Sequence, residues 1–257
     1  MGRQPVTRHT SRVTRTQGAL VIFAKAPISG QVKTRLCPPL SPDEAATLHG
    51  SLVLDALERT KRAVMALKLP LDRHLACAPS STLAFFKIME ARQDVSLIDQ
   101  SGDDLGERMH RAFEAMFERG YKRVLIVGTD VPALPLDYYA QALALLDQHD
   151  VVFGPALDGG YYLVGLTRPA AGLFNDIPWS TDRVLSLSRE RADDLGFKTA
   201  LLPEWRDVDT IDDLRALIEA AQADAKKPKQ TQQFSSRTAG VLQLLAKRLR
   251  SRHNSAP

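Results

Sequence analysis

The residues able to do chemistry gather in a few short stretches, each following an apolar run. In Val124-Leu125-Ile126-Val127-Gly128-Thr129-Asp130-Val131-Pro132, four unbroken apolar residues read as a strand buried on both faces. Gly128 lets the chain turn, and Pro132, which has no N–H, ends any ladder pairing. Asp130 is thereby left just past the C-terminal end of a central strand, the edge where open α/β sheets bind ligands. A single aspartate there is also a common turn residue, so its meaning depends on what the other strand ends carry.

The first apolar run, Ala19–Ala24, leads into a loop with Lys25, Pro27, Gly30, Lys33 and Arg35. Gly30 permits close backbone approach to a ligand. The three cations suit phosphate oxygens, with Arg35 able to engage two at once; the plainer alternative is a solvated basic loop. Neither GxxxxGK[ST] nor GxGxxG is present. Gly102 and Gly106 flank Asp103, Asp104 and Leu105 at a helix start. The acids suit caps, while the glycines would let a flat ligand lie on the backbone. Asp158-Gly159-Gly160 is a hairpin signal, followed by Tyr161 and Tyr162. Trp179 precedes a helix, where a pocket lining and a core position are equally in keeping with it. Asp207, Asp209, Asp212 and Asp213 crowd the last core helix start, where one cap is enough; the excess suggests a cation ligand.

Strands and helices must alternate to place these residues. Ser41-Pro42-Asp43-Glu44 is a capping box with proline at the first helical position, and it opens a long helix. Strands are expected at 72–77, 95–98, 124–127, 150–154 and 198–202, with helices near 81–90, from about 105 to 118, at 136–147, after Ser180 and up to about Ala221. His74 alternates along its strand and reads as structural. This order implies a three-layer α/β/α sandwich with a mainly parallel sheet.

Of 257 residues, 44% are apolar, enough for one large α/β domain or two small ones. The net charge of +4 is uneven. Residues 1–18 carry four arginines and no acid, and residues 222–257 carry eight Lys or Arg against Asp224 alone, which leaves residues 19–221 at about −7. A mildly acidic core argues against a specific nucleic-acid partner and suits a cation site. Two cysteines without a CxxC point to a reducing compartment, read here as the cytoplasm, and to no zinc site. No apolar run approaches the roughly 18 residues of a transmembrane helix. The N-terminal stretch lacks the pattern of a secretory signal. The expected organisation is a disordered basic tail over 1–18, an α/β domain over 19–221, which the resemblance given next implies to be nucleotide-binding and catalytic, and a basic linker and tail over 222–257. Gly240–Arg250 is a possible short helix there, of the kind usually left solvated.

Five ordered segments within this domain resemble the signature segments of a known bacterial family. They are Phe23–Pro27 with Gly30–Leu36, Asp104–Met109, Gly128–Pro132, Gly154–Leu163 and Ile177–Thr181. The family is the glycosyltransferase-like group associated with radical-SAM and selenodomain proteins, some of them assigned to arsenosugar biosynthesis. It belongs to the GT-A, nucleotide-diphospho-sugar transferase superfamily and is distantly similar to molybdenum-cofactor and 2-phospholactate guanylyltransferases. Asp207–Leu214 resembles the closing motif of the last of these. The resemblance implies that Asp130 and Asp209 hold Mg²⁺ or Mn²⁺. It implies that Lys25, Gly30, Lys33 and Arg35 meet nucleotide phosphates, and that Leu105, Gly106 and Arg108 meet the rest of the nucleotide. Asp158, Tyr161 and Trp179 would face the acceptor, and Asp130, Asp158 and Lys33 would serve catalysis. Where true nucleotidyltransferases have glycines in the first loop, this chain has Ala26-Pro27. The implied activity is transfer of a sugar from a nucleotide sugar to a small acceptor. Transfer of a nucleotidyl group from an NTP to a phosphorylated small molecule remains the alternative, and a nucleotide-binding protein without turnover a weaker one.

Overall fold

The structure, a computed structural model, describes residues 17–253. Strands β1 (Gly18–Lys25), β2 (Leu71–Ala78), β3 (Ser96–Asp99), β4 (Arg123–Gly128), β5 (Val151–Pro155), β6 (Tyr161–Leu166) and β7 (Thr199–Leu201) form one sheet, in the order β3-β2-β1-β4-β6-β5-β7. Only β6 runs against the others, paired antiparallel with both β4 and β5. The sheet is therefore mainly parallel, as the alternating pattern predicts.

Apolar alternation on both faces explains the three layers. In β1, Leu20 and Ile22 join one core while Ala19 and Val21 join the other; β4 divides Leu125 and Val127 from Val124 and Ile126 in the same way. Helices α1 (Pro42–Ala66), α2 (Ala84–Gln93) and α4 (Asp137–Leu145) cover the first face, through Val53, Leu57, Phe86 and Tyr139. Helices α3 (Leu105–Glu118) and α5 (Val184–Asp194) cover the second, through Phe113, Met116 and Ala192. The capping box at α1 forms as its sequence predicts: the Ser41 hydroxyl accepts from Glu44 N–H and the Glu44 carboxylate from Ser41 N–H. The Asp158–Gly160 turn joins β5 to β6. Gly159 has φ 88°, and a Cβ on it would lie 2.2 Å from the Asp182 carbonyl oxygen, so only glycine fits there.

His74 is structural, as its alternation predicts. It is buried, with Nε2 3.2 Å from the Tyr121 hydroxyl, which itself donates to Asp72.

The C-terminal region differs from expectation. Helix α6 (Ile211–Asp224) runs past Ala221, and α7 (Ser236–His253) is far longer than a short solvated helix. Leu242, Leu245 and Ala246 recur at helical spacing and are buried with Leu48 and Leu52 of α1 and Leu214, Leu217 and Ile218 of α6. Arg237 pairs with Asp55 and Glu58, and Arg248 with Glu44. Two of the basic residues that read as a free tail, Arg237 and Arg248, thus meet acids of α1, while Lys247 and Arg250 remain exposed. Of the expected N-terminal tail, residues 1–16 lie outside the described residues, and Gly18 begins β1.

Candidate functional site

The strand order reverses between β1 and β4: β1 connects outward to β2, and β4 has its sequence successors on the other side. A crevice at the C-terminal ends of such strands is the usual ligand position of open α/β sheets. The loop of Lys25, Gly30, Lys33 and Arg35 leaves β1 at this edge, and Asp130 follows β4. The segment after β7 is stitched across the same edge by backbone hydrogen bonds. Trp205 N–H donates to Pro155 O (3.0 Å), Leu157 N–H to Trp205 O (3.2 Å) and Val208 N–H to Asp130 O (3.1 Å). Val208 is buried in the core shared with α6. In extended chain, residues two apart share a face, so Asp207 and Asp209 are presented together, away from Val208.

Lys33 stands at the centre. Its backbone is left-handed, with φ 50°, at the start of a short 3-10 turn over Thr34–Leu36. Its side chain is only 4% exposed, and Nζ lies 2.8 Å from Asp130 Oδ2 and 2.9 Å from Asp209 Oδ1. The same ammonium donates to Val208 O at 2.5 Å. Two carboxylates separated by about 80 residues in sequence thus touch one cation. Burial alone would lower the Lys33 pKa, but Asp130 and Asp209 outweigh it and hold the pKa above the usual lysine value. Burial would likewise raise Asp130, and the Lys33 charge, with His49 behind it, instead holds that carboxyl well below the carboxylate range. His49, buried in α1, has Nε2 3.0 Å from Lys25 O and Nδ1 3.7 Å from Asp130 Oδ1. That distance is too long for a hydrogen bond, and both facing atoms are buried without a hydrogen-bond partner among the described residues.

A second acidic group adjoins this pair. Asp158, Asp207 and Asp209 each offer a carboxylate oxygen, and these atoms lie within 4.8 Å of one another. Burial, then the charges of Asp158 and Asp209, push Asp207 up to about 7. Asp213, by contrast, is used locally: it caps α6 through Thr210 and pairs with Arg206. The donor set fits a hard divalent cation. Every carboxylate here is an oxygen ligand, Asp130 Oδ1 lacks a partner, and a positive charge already bridges Asp130 and Asp209.

The remaining sequence candidates separate into two groups. Arg35 is 58% exposed and 3.8 Å from Asp209 Oδ2, and Lys25 is exposed at the end of β1. Gly30, with φ 76°, has open space where a Cβ would stand. These positions face outward at the crevice. Leu105 is exposed at the first turn of α3. Gly106 does not offer a bare backbone face to a ligand. A Cβ on it would lie 2.6 Å from the Trp179 ring and 2.8 Å from Phe174 O, so its lack of side chain serves close packing. Arg108 folds back, Nε donating to Gly102 O at 2.9 Å. Trp179 and Tyr161 meet edge to face, 6.4 Å between ring centres, and both pack against the core beneath α3 and α5. Both rings are partly buried, and Trp179 lies against Gly106 at the start of α3.

The sequence reading counts Asp207 only among the excess acids before the last core helix, and it passes over His49. Asp207 carried a usable signal, the acid–apolar–acid alternation with Val208 turned inward. His49 carried little, since a histidine on the buried stripe of an amphipathic helix has no distinguishing spacing.

A family of uncharacterized proteins conserved in bacteria (DUF2064) matches residues 61–181. Nothing among curated proteins matches the chain. Among solved structures, a protein from Desulfovibrio desulfuricans G20 described as a "putative nucleotide-diphospho-sugar transferase" is 31% identical, with a TM-score of 0.77 over 92% of this chain and 98% of that one. The chain belongs to the nucleotide-diphospho-sugar transferase superfamily. The fold is shared more widely. A cytidylyltransferase from Leptospira borgpetersenii is 14% identical with a TM-score of 0.52, covering 94% of this chain and 99% of that one. A CMP:2-keto-3-deoxy-manno-octonic acid synthetase complexed with CTP is 15% identical with a TM-score of 0.50, covering 82% and 100%.

Proposed function

We propose that this member of the superfamily is a metal-dependent glycosyltransferase that moves a sugar from a nucleotide sugar to a small acceptor. The observation that carries the reading is the convergence of Asp130 and Asp209 on one buried cationic position in the crevice between β1 and β4. Asp130 and Asp209 would hold Mg²⁺ or Mn²⁺, with Asp207 and Asp158 alongside. Such an ion neutralises charge developing on the diphosphate leaving group. Lys25 and Arg35 would bind the outer phosphate oxygens, and Leu105 would lie against the nucleoside. In the reaction an acceptor oxygen bonds to the anomeric carbon as the bond from that carbon to phosphate oxygen breaks, and the nucleoside diphosphate leaves. The acceptor proton goes to a carboxylate of the Asp158–Asp207 pair.

The test is product analysis after incubation with a panel of nucleotide sugars and NTPs, with Mg²⁺ or Mn²⁺. Nucleoside diphosphate release supports glycosyl transfer. Pyrophosphate release would assign nucleotidyl transfer instead. Asp130→Asn, checked for folding by circular dichroism, is expected to lower turnover about 100-fold or more, the scale of losing one electrostatic stabiliser in an active site.

A further inference from the structure

The position that the metal-dependent reading assigns to a divalent cation is filled in the structure by the Lys33 ammonium. Its three N–H groups meet three acceptors, Asp130 Oδ2, Asp209 Oδ1 and Val208 O. A primary ammonium has three donors, so Lys33 has none left for a phosphate. The lysine therefore cannot hold both acids and serve the nucleotide at once. A dication drawn to the same two oxygens would be repelled by that ammonium and would compete with it for them.

We propose that Lys33 and the divalent cation are alternative occupants of the Asp130–Asp209 pair, and that metal entry releases Lys33 toward the phosphates of the nucleotide. This rests on the metal-dependent reading above. Several features of the loop suit an exchange. Lys33 adopts φ 50°, which non-glycine residues seldom do, and the loop before it is exposed from Ser29 to Gln31, with Val32 buried between. Gly30, with φ 76° and open space beside it, lies three residues earlier and can absorb backbone rotation. Arg35, already 3.8 Å from Asp209 on the outer side, keeps a positive charge at the crevice mouth in either arrangement. With Lys33 in place, Asp130 and Asp209 are held together and neutralised. With Lys33 displaced, its charge needs a new anionic partner, and a diphosphate at the mouth supplies one. Metal and nucleotide binding should accordingly favour each other, a coupling that must be reciprocal.

The exchange is tested by titrating the nucleotide-free protein with Mn²⁺, following the free-ion electron paramagnetic resonance signal. Lys33→Met keeps much of the apolar stem and removes the charge; it is expected to bind Mn²⁺ at least tenfold more tightly than the wild type. Amine acetylation of the wild-type chain, read by mass spectrometry, supplies a measurement that needs no variant. Lys33 should resist acetylation alone and become reactive at saturating Mn²⁺. Equal or weaker Mn²⁺ binding by Lys33→Met, or continued protection of Lys33 at saturating Mn²⁺, overturns the exchange while leaving a metal site in place. Absence of Mn²⁺ binding by both proteins, with and without UDP or GDP, would overturn the metal-dependent reading and the exchange with it.

Discussion

Lys33 and Arg35 are two residues apart in one loop and contact the same carboxylate, yet their surroundings differ entirely. Lys33 is buried against two acids, whereas Arg35 is mostly in water at 3.8 Å from Asp209. An exposed pair of that kind contributes only ~0–1 kcal/mol to stability. Arg35→Ala should therefore leave the thermal midpoint almost unchanged. If Arg35 binds a nucleotide phosphate, the same substitution should weaken nucleoside diphosphate binding by about 1.5–3 kcal/mol, the range for a hydrogen bond to a charged group. Calorimetric titration in the presence of Mg²⁺ reads the difference. Unchanged affinity in a folded variant would remove this side of the loop from the nucleotide site.

Among the elements, α7 shows how context changes the meaning of a segment. Its basic residues follow a polar linker, a composition typical of a solvated tail. Asp224 at the end of α6 fixes the linker by accepting from Gln233 and Phe234 N–H, at 2.7 and 3.1 Å. The apolar stripe of α7 then closes a third core between α1 and α6. Leu245→Ala should cost about 2–5 kcal/mol, the usual range for truncating a buried leucine, as measured by urea denaturation. Because α1 also carries His49 and packs beneath the first loop, removing residues 236–257 should lower the melting temperature clearly. A truncated protein as stable as the full chain would show that the α7 contacts contribute nothing net.

Across the whole molecule, a buried uncharged histidine ties stability to pH. Burial, reinforced by the nearby Arg119 charge and only partly opposed by Asp72, pushes His74 down to about 4. In the unfolded chain a histidine titrates near 6.5. Between those values the unfolded state binds a proton that the folded state refuses, so stability falls as pH drops from about 6.5 toward 4. By pH 4.5 this group alone should remove about 2–3 kcal/mol. His74→Gln should flatten that part of the curve, seen by comparing urea midpoints at pH 7 and 4.5. An equally steep decline in the variant would place the acid sensitivity elsewhere. At the same scale, no helix among the described residues is long and apolar enough to cross a membrane.

The sequence by itself determined the alternation of strands and helices, the α1 capping box, the β5–β6 turn and the placement of Asp130 and the cationic loop at strand ends. Those features are local: they follow from residue period, from proline and glycine backbone limits, and from side chains reaching three or four residues away. It could not fix what depends on distant segments meeting. Only the tertiary structure decided that Lys33 occupies the space between Asp130 and Asp209, that Asp207 and Asp158 join Asp209, and that Gly106 is kept bare by Trp179. It also decided that the basic C-terminal segment is a docked helix. The reason is physical. A charge or an apolar stripe carries no record in its own sequence of the partner that will neutralise or cover it, and here those partners lie far along the chain.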